Sequence, residues 1–132
     1  MPSFPRYLGF AALFGFIGVG MGAFGAHALR DTLDPAAMSV YKTGVDYQMW
    51  HALALGMVAI LIRADIRSGL LIWAARLLSC GILLFSGSLY LLSMTGMRWP
   101  GAITPFGGTA FLAAWLLLAM YSYQFVGKKR NA

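Results

Sequence analysis

Apolar residues fill four long stretches of the chain, and short polar segments separate them. The first stretch, 7–29, carries no charge until Arg30. The second, about 43–62, holds only Asp46 and ends at Arg63. The third, about 70–94, is interrupted only by Arg76. The fourth, about 104–126, runs into Lys128, Lys129 and Arg130. An α-helix needs about 20 residues to cross the hydrocarbon core of a bilayer, and each stretch reaches that length. The leucine, alanine and methionine content favours helix, and no period-2 alternation supports a barrel. The pattern predicts an all-α, integral membrane four-helix bundle: one domain over 1–132, with linkers at 30–42, 63–69 and 95–103.

Composition agrees with the pattern. Of 132 residues, 60% are hydrophobic and 11% charged, against about 25% charged in a typical soluble domain. A soluble chain this short has too large a surface for its volume to hide so much apolar side chain. The expected solvent is therefore the lipid bilayer, with a second copy or another membrane protein as a further partner. The net charge of +6 does not point to nucleic acid, because the basic residues cap apolar runs and form no patch interleaved with aromatics. Arg6, Arg63, Arg67, Lys128, Lys129 and Arg130 fall on one side of the predicted bundle. Only Arg30, Lys42 and Arg98 fall on the other. The positive-inside rule then places both termini in the cytoplasm. Ala26-His27-Ala28 resembles a signal-peptide cleavage site, but the preceding run is too long for a signal peptide's apolar core. Cys80, the single cysteine, excludes an internal disulfide and reads as a small packing residue.

Residues 20–25, GMGAFG, match the G-x-G-x-x-G turn of dinucleotide-binding folds, and Asp46 lies where an acidic residue would follow. That turn requires a preceding strand, whereas these glycines lie near the end of an apolar helix. Gly15, Gly18, Gly22 and Gly25 fall on one face at 100° per residue. They predict a small-residue seam where a neighbouring helix approaches closely, with Gly87 and Gly107 as further packing positions.

Polar groups inside a bilayer are costly, so they carry whatever chemistry the sequence discloses. His27, Tyr47, Gln48, His51, Ser86, Tyr90 and Thr104 all fall toward the outer ends of the predicted helices. They form a candidate cluster that either binds a ligand or fixes helix register by interhelical hydrogen bonds. His51 should lie about 12 Å below the outer boundary. There an imidazole must find a partner, and His27, Ser86 and Tyr90 are the expected ones. Ser79, Ser86, Gly87, Tyr90 and Ser93 share a stripe with Arg76, which either snorkels or turns inward. No metal-ligand spacing or nucleophile–base set appears, so no catalytic residue, metal or cofactor is expected. Two histidines as axial haem ligands remain an alternative.

GAFGAHAL (22–29), TGVDYQMWHALAL (43–55), GILLFSGSLYLL (81–92) and ITPFGG (103–108) together resemble the YgdD/YwdK-like family. These are small bacterial inner-membrane proteins of unknown function with eukaryotic transmembrane relatives. The resemblance spans nearly the whole chain. It implies a four-helix protein of the inner membrane and implies no activity. The expected function is non-enzymatic, the outer cluster holding a small ligand, a lipid headgroup or a partner helix. A small oligomeric transporter or channel is the second reading, and a haem protein the third.

Overall fold

The computed structural model describes residues 3–65 and 68–130. Arg67 and the side chains of Lys128, Lys129 and Arg130, which entered the orientation argument, lie outside the described residues. The chain forms α1 (Ser3–His27) and α2 (Pro35–Ala64). A third rod follows, built from α3 (Gly69–Gly81), a π-helical turn (Ile82–Ser86) and α4 (Gly87–Thr95). A 3₁₀ turn (Trp99–Ala102) then leads into α5 (Thr104–Arg130). Among the described residues, four helices are long and apolar enough to cross a membrane.

Local chemistry sets most of the boundaries. α2 starts at Pro35, a full two turns before the apolar run at 43. The Asp34 carboxylate accepts the Ala37 N–H at 2.9 Å, and Pro35 occupies a first-turn position where its missing donor is harmless. The predicted 30–42 linker thus shrinks to a short turn. α4 stops at Gly96, whose φ of 70° is the left-handed conformation that closes helices. Thr104-Pro105 opens α5.

α1 packs on α2, α2 on α3 and α4, and α5 on α3 and the π-turn. α2 and the third rod form the inner pair, and α1 and α5 flank it. Leu55, Val58, Ala59 and Ile62 of α2 meet Leu71, Ala74, Ala75 and Leu78 of α3, and all eight are fully enclosed. Both sets follow i, i+3, i+4, i+7, one helical stripe each. The alanines let the two backbones approach closely. This half of the bundle, nearer the termini, is apolar inside apart from the Tyr7 hydroxyl, which accepts from Arg6 at 3.1 Å. The buried polar side chains Gln48, His51, Ser86, Ser88 and Ser93 belong to the half nearer the linkers.

The outside is apolar as well: Phe16, Leu53, Ile60, Leu83, Phe106 and Leu112 are each more than half exposed. Such a surface needs lipid as its solvent. Cys80 is exposed, so it faces outward and is not the packing residue expected. Arg76 also points outward, its guanidinium 4.9 Å from the Trp73 ring centre.

Candidate functional site

The glycine seam of α1 acts on hydrogen bonding as much as on packing. Tyr41 of α2 donates its hydroxyl to the Met21 carbonyl at 2.6 Å. Seven residues on, the Gln48 amide donates to the Phe14 carbonyl at 2.8 Å. Met21 and Phe14 each sit four residues before a glycine, Gly25 and Gly18 respectively. In a helix the carbonyl of residue i points toward residue i+4, and a side chain there would screen it. A methyl group on Gly25 would come within 2.5 Å of the Tyr41 ring. One on Gly18 would come within 2.5 Å of Met49 Sδ and 3.5 Å of Gln48 Cγ. The glycines therefore uncover two α1 carbonyls for two α2 donors two turns apart. Gly22 is looser, a methyl group there meeting only Val45 at 3.5 Å, and Gly15 has nothing within 4 Å. Gly15 is thus not a packing glycine.

Tyr90 extends the network to α4. Its hydroxyl donates to Gln48 Oε1 at 2.8 Å, and its ring lies 5.2 Å from that of Tyr41. Gln48 thereby joins three helices through both ends of its amide. Thr104 bonds to Ser88 at 2.7 Å, and Ser88 donates to the Phe85 carbonyl at 2.9 Å. Ser86, the expected participant, is fully buried with no hydrogen-bond partner for its hydroxyl. The rod passes through the π-turn here, which accommodates an extra residue, so faces counted at a constant 100° per residue do not carry through it unchanged. α5 packs directly on this turn: a methyl group on Gly107 would overlap the backbone of Phe85. Gly87, expected to pack, has open space where a side chain would be.

His51 stands apart from this network. It is buried and faces α5, its ring stacked on Phe111 at 3.5 Å between centres and 10° between planes. Nδ1 lies 2.7 Å from the Tyr47 carbonyl, which can only accept. Trp115 Nε1–H points at Nε2 from 3.3 Å and can only donate. The two partners assign the neutral tautomer protonated at Nδ1, as burial in an apolar setting favours. The expected partners His27, Ser86 and Tyr90 do not reach it. His27 is exposed at the end of α1. Gly18 faces Gln48 and Met49, so His51 is level with about residue 15 of α1. That places His27 about 18 Å away along the bundle axis, too far for two axial ligands of one haem.

Around His51 the two helices leave a groove of about 470 Å³ walled by Tyr47, Trp50, Phe85, Phe111 and Trp115. Tyr47 stacks on Phe85 with ring centres 4.6 Å apart. Trp50 and Trp115 are about half exposed, so the groove opens sideways onto the lipid-facing surface. Tyr41, Ser88, Phe111 and Trp115 were not among the predicted cluster. For Tyr41 a signal existed, since it follows Met21 and Gly25 in matched seven-residue steps with Gln48. For Trp115 none did, because its place depends on how α5 docks.

Fold and site together define a four-span helical membrane protein with a polar knot at one end and an aromatic groove beside it. The chain belongs to the family described as protein of unknown function DUF423, whose model matches residues 21–108. That stretch takes in Tyr41, Gln48, His51, the π-turn and Gly107; Phe111 and Trp115 lie beyond it. The chain is 44% identical over 117 residues to the UPF0382 membrane protein YwdK of Bacillus subtilis (strain 168), covering 87% of this chain and 94% of that one. It is 46% identical over 116 residues to a UPF0382 membrane protein of Staphylococcus haemolyticus, covering 88% and 93%. With the UPF0382 inner membrane protein YgdD of Escherichia coli (strain K12) it shares 43% identity over 109 residues, covering 83% and 82%. No solved structure matches the chain. The protein is a multi-pass protein of the cytoplasmic membrane.

Proposed function

We propose that this is a non-enzymatic membrane protein that holds a lipid-soluble molecule with a polar end in the groove between α2 and α5. The observation that carries the reading is the state of His51. The hydroxyls and amides of Tyr41, Gln48, Tyr90, Ser88 and Thr104 have close protein partners and serve as register bonds between helices. The acceptor nitrogen of His51 has only an indole N–H at the outer limit of hydrogen-bond length, on the wall of a groove open to lipid. A ligand hydroxyl would bond Nε2 more closely, while its chain lay against the aromatic walls. No side chain arrangement around the groove supplies a nucleophile with a base, which supports binding over catalysis. The enclosed apolar half of the bundle does not favour a polar pathway through a single chain.

A protein with Trp50, Trp73 and Trp99 changed to Phe leaves Trp115 as the sole tryptophan, whose emission is excited selectively over that of the tyrosines. In lipid vesicles, titration with a brominated fatty alcohol should quench it along a saturating curve. His51→Leu should abolish the saturable part while the protein stays folded. Quenching that rises linearly and equally in both proteins would leave His51 as a packing residue and sink the reading.

A further inference from the structure

A second cavity, of about 340 Å³, lies between α1 and α2 at the linker end, on the other side of α2 from the groove. Its apolar wall is made of Gly22, Gly25 and the Tyr41 ring, and its rim carries Arg30, Lys42 and Asp46. Among the described residues none of these three charged side chains makes a hydrogen bond or an ion pair within 4 Å, not even Lys42 with Asp46 one turn away. Three unpaired charges around one cavity is an unusual outlay for a chain that is only 11% charged. The cavity also sits at a telling depth. α2 has 30 residues, about 45 Å at 1.5 Å per residue, against a hydrocarbon core of about 30 Å. With the charge-free run from 47 onward in the core, Lys42, Asp46 and the end of α1 fall in the headgroup layer.

We propose that this cavity binds a zwitterionic phosphate–amine group, the headgroup chemistry of an amine-bearing phospholipid. Arg30 and Lys42 face the phosphate, and Arg30 supplies the fork geometry suited to it. Asp46 faces the ammonium. Gly22, where a methyl group would meet only Val45 at 3.5 Å, leaves room for the lipid's glycerol backbone beside α1. Two cations alone would select any anionic lipid. The carboxylate on the same rim is what selects an amine, because it repels a second negative charge and pairs with a positive one. This inference is independent of the His51 groove.

The test uses the full chain in detergent, incubated with an equimolar mixture of phosphatidylethanolamine and phosphatidylglycerol, with bound lipid read by native mass spectrometry. Phosphatidylethanolamine should be retained in preference. The Arg30→Gln/Lys42→Gln double variant should lose about tenfold in retention of both lipids, the loss of a charge-assisted contact. Asp46→Asn should keep phosphate binding and lose the preference. Free phosphoethanolamine is the second arm: displacement of the lipid at millimolar concentration identifies a soluble ligand of the same chemistry, and no displacement identifies the lipid. All three positions are exposed, so the variants should fold, which their elution volumes would check. Equal retention of the two lipids by the wild type, or unchanged retention in the double variant, would overturn the proposal.

Discussion

Gly107 and Gly20 are the same residue under opposite constraints. A methyl group on Gly107 would overlap the Phe85 backbone, whereas one on Gly20 meets nothing within 4 Å. Backbone cannot rotate away as a side chain can, so Gly107→Ala should destabilise the protein by about 1–3 kcal/mol. Gly20→Ala should be neutral or slightly stabilising through helix propensity. Thermal denaturation of detergent-solubilised protein compares them, and equal melting temperatures would remove the close-approach argument. A second contrast concerns buried polar groups. Gln48→Leu deletes bonds to Phe14 and Tyr90 and should cost about 1–2 kcal/mol. Ser86→Ala removes a buried hydroxyl that bonds nothing, so stability should hold or rise. A loss at Ser86 as large as that at Gln48 would show that its hydroxyl has a partner.

The third rod is where a helix departs from regularity, and the departure can be tested by its length. If the π-turn at Ile82–Ser86 houses one extra residue, deleting the exposed Leu83 should convert the turn to α-helix. The faces of α3 and α4 would keep their present phase. Deleting the exposed Leu91 from within α4 should instead rotate everything after it by about 100° and misplace Ser93 and the 3₁₀ turn. The Leu83 deletion should therefore be recovered from membranes as a monodisperse protein, and the Leu91 deletion should not. Equal yields would mean that the π-turn does not set the register.

Across the whole molecule, charge and polarity are distributed unevenly between the two ends. Antiparallel packing puts the start of α1, the end of α2, the start of α3 and the end of α5 at one end, opposite the enclosed polar side chains. We propose that the terminal end is cytoplasmic, supported by Arg6 and Arg63 together with Arg67, Lys128, Lys129 and Arg130 of the sequence. A reporter active only in the cytoplasm should work when fused after residue 132 and fail in the 31–34 turn. The reverse pattern would invert the molecule and place the headgroup cavity and the polar knot inside.

Four apolar runs, their helical character and their solvent could be read from residue order, because bilayer thickness and backbone hydrogen bonding leave a membrane chain few other structures. Gln48, Tyr90 and Thr104 as interhelical donors and acceptors were legible for the same reason, as was the tight approach at Gly18, Gly25 and Gly107. The pairings were not. Ser86, expected to bond His51, is buried without a partner, while Ser88 bonds Thr104 at the start of α5; the π-turn between α3 and α4 breaks the constant phase that wheel counting assumes. His51 meets Phe111 and Trp115 because α5, packed on the third rod, brings them beside it, while His27 lies about 18 Å away along the bundle axis. Helix existence follows from each segment's own exchange of water for lipid. Helix order, rotation and the resulting groove depend on contacts between residues far apart in the chain, so only the tertiary structure decides them.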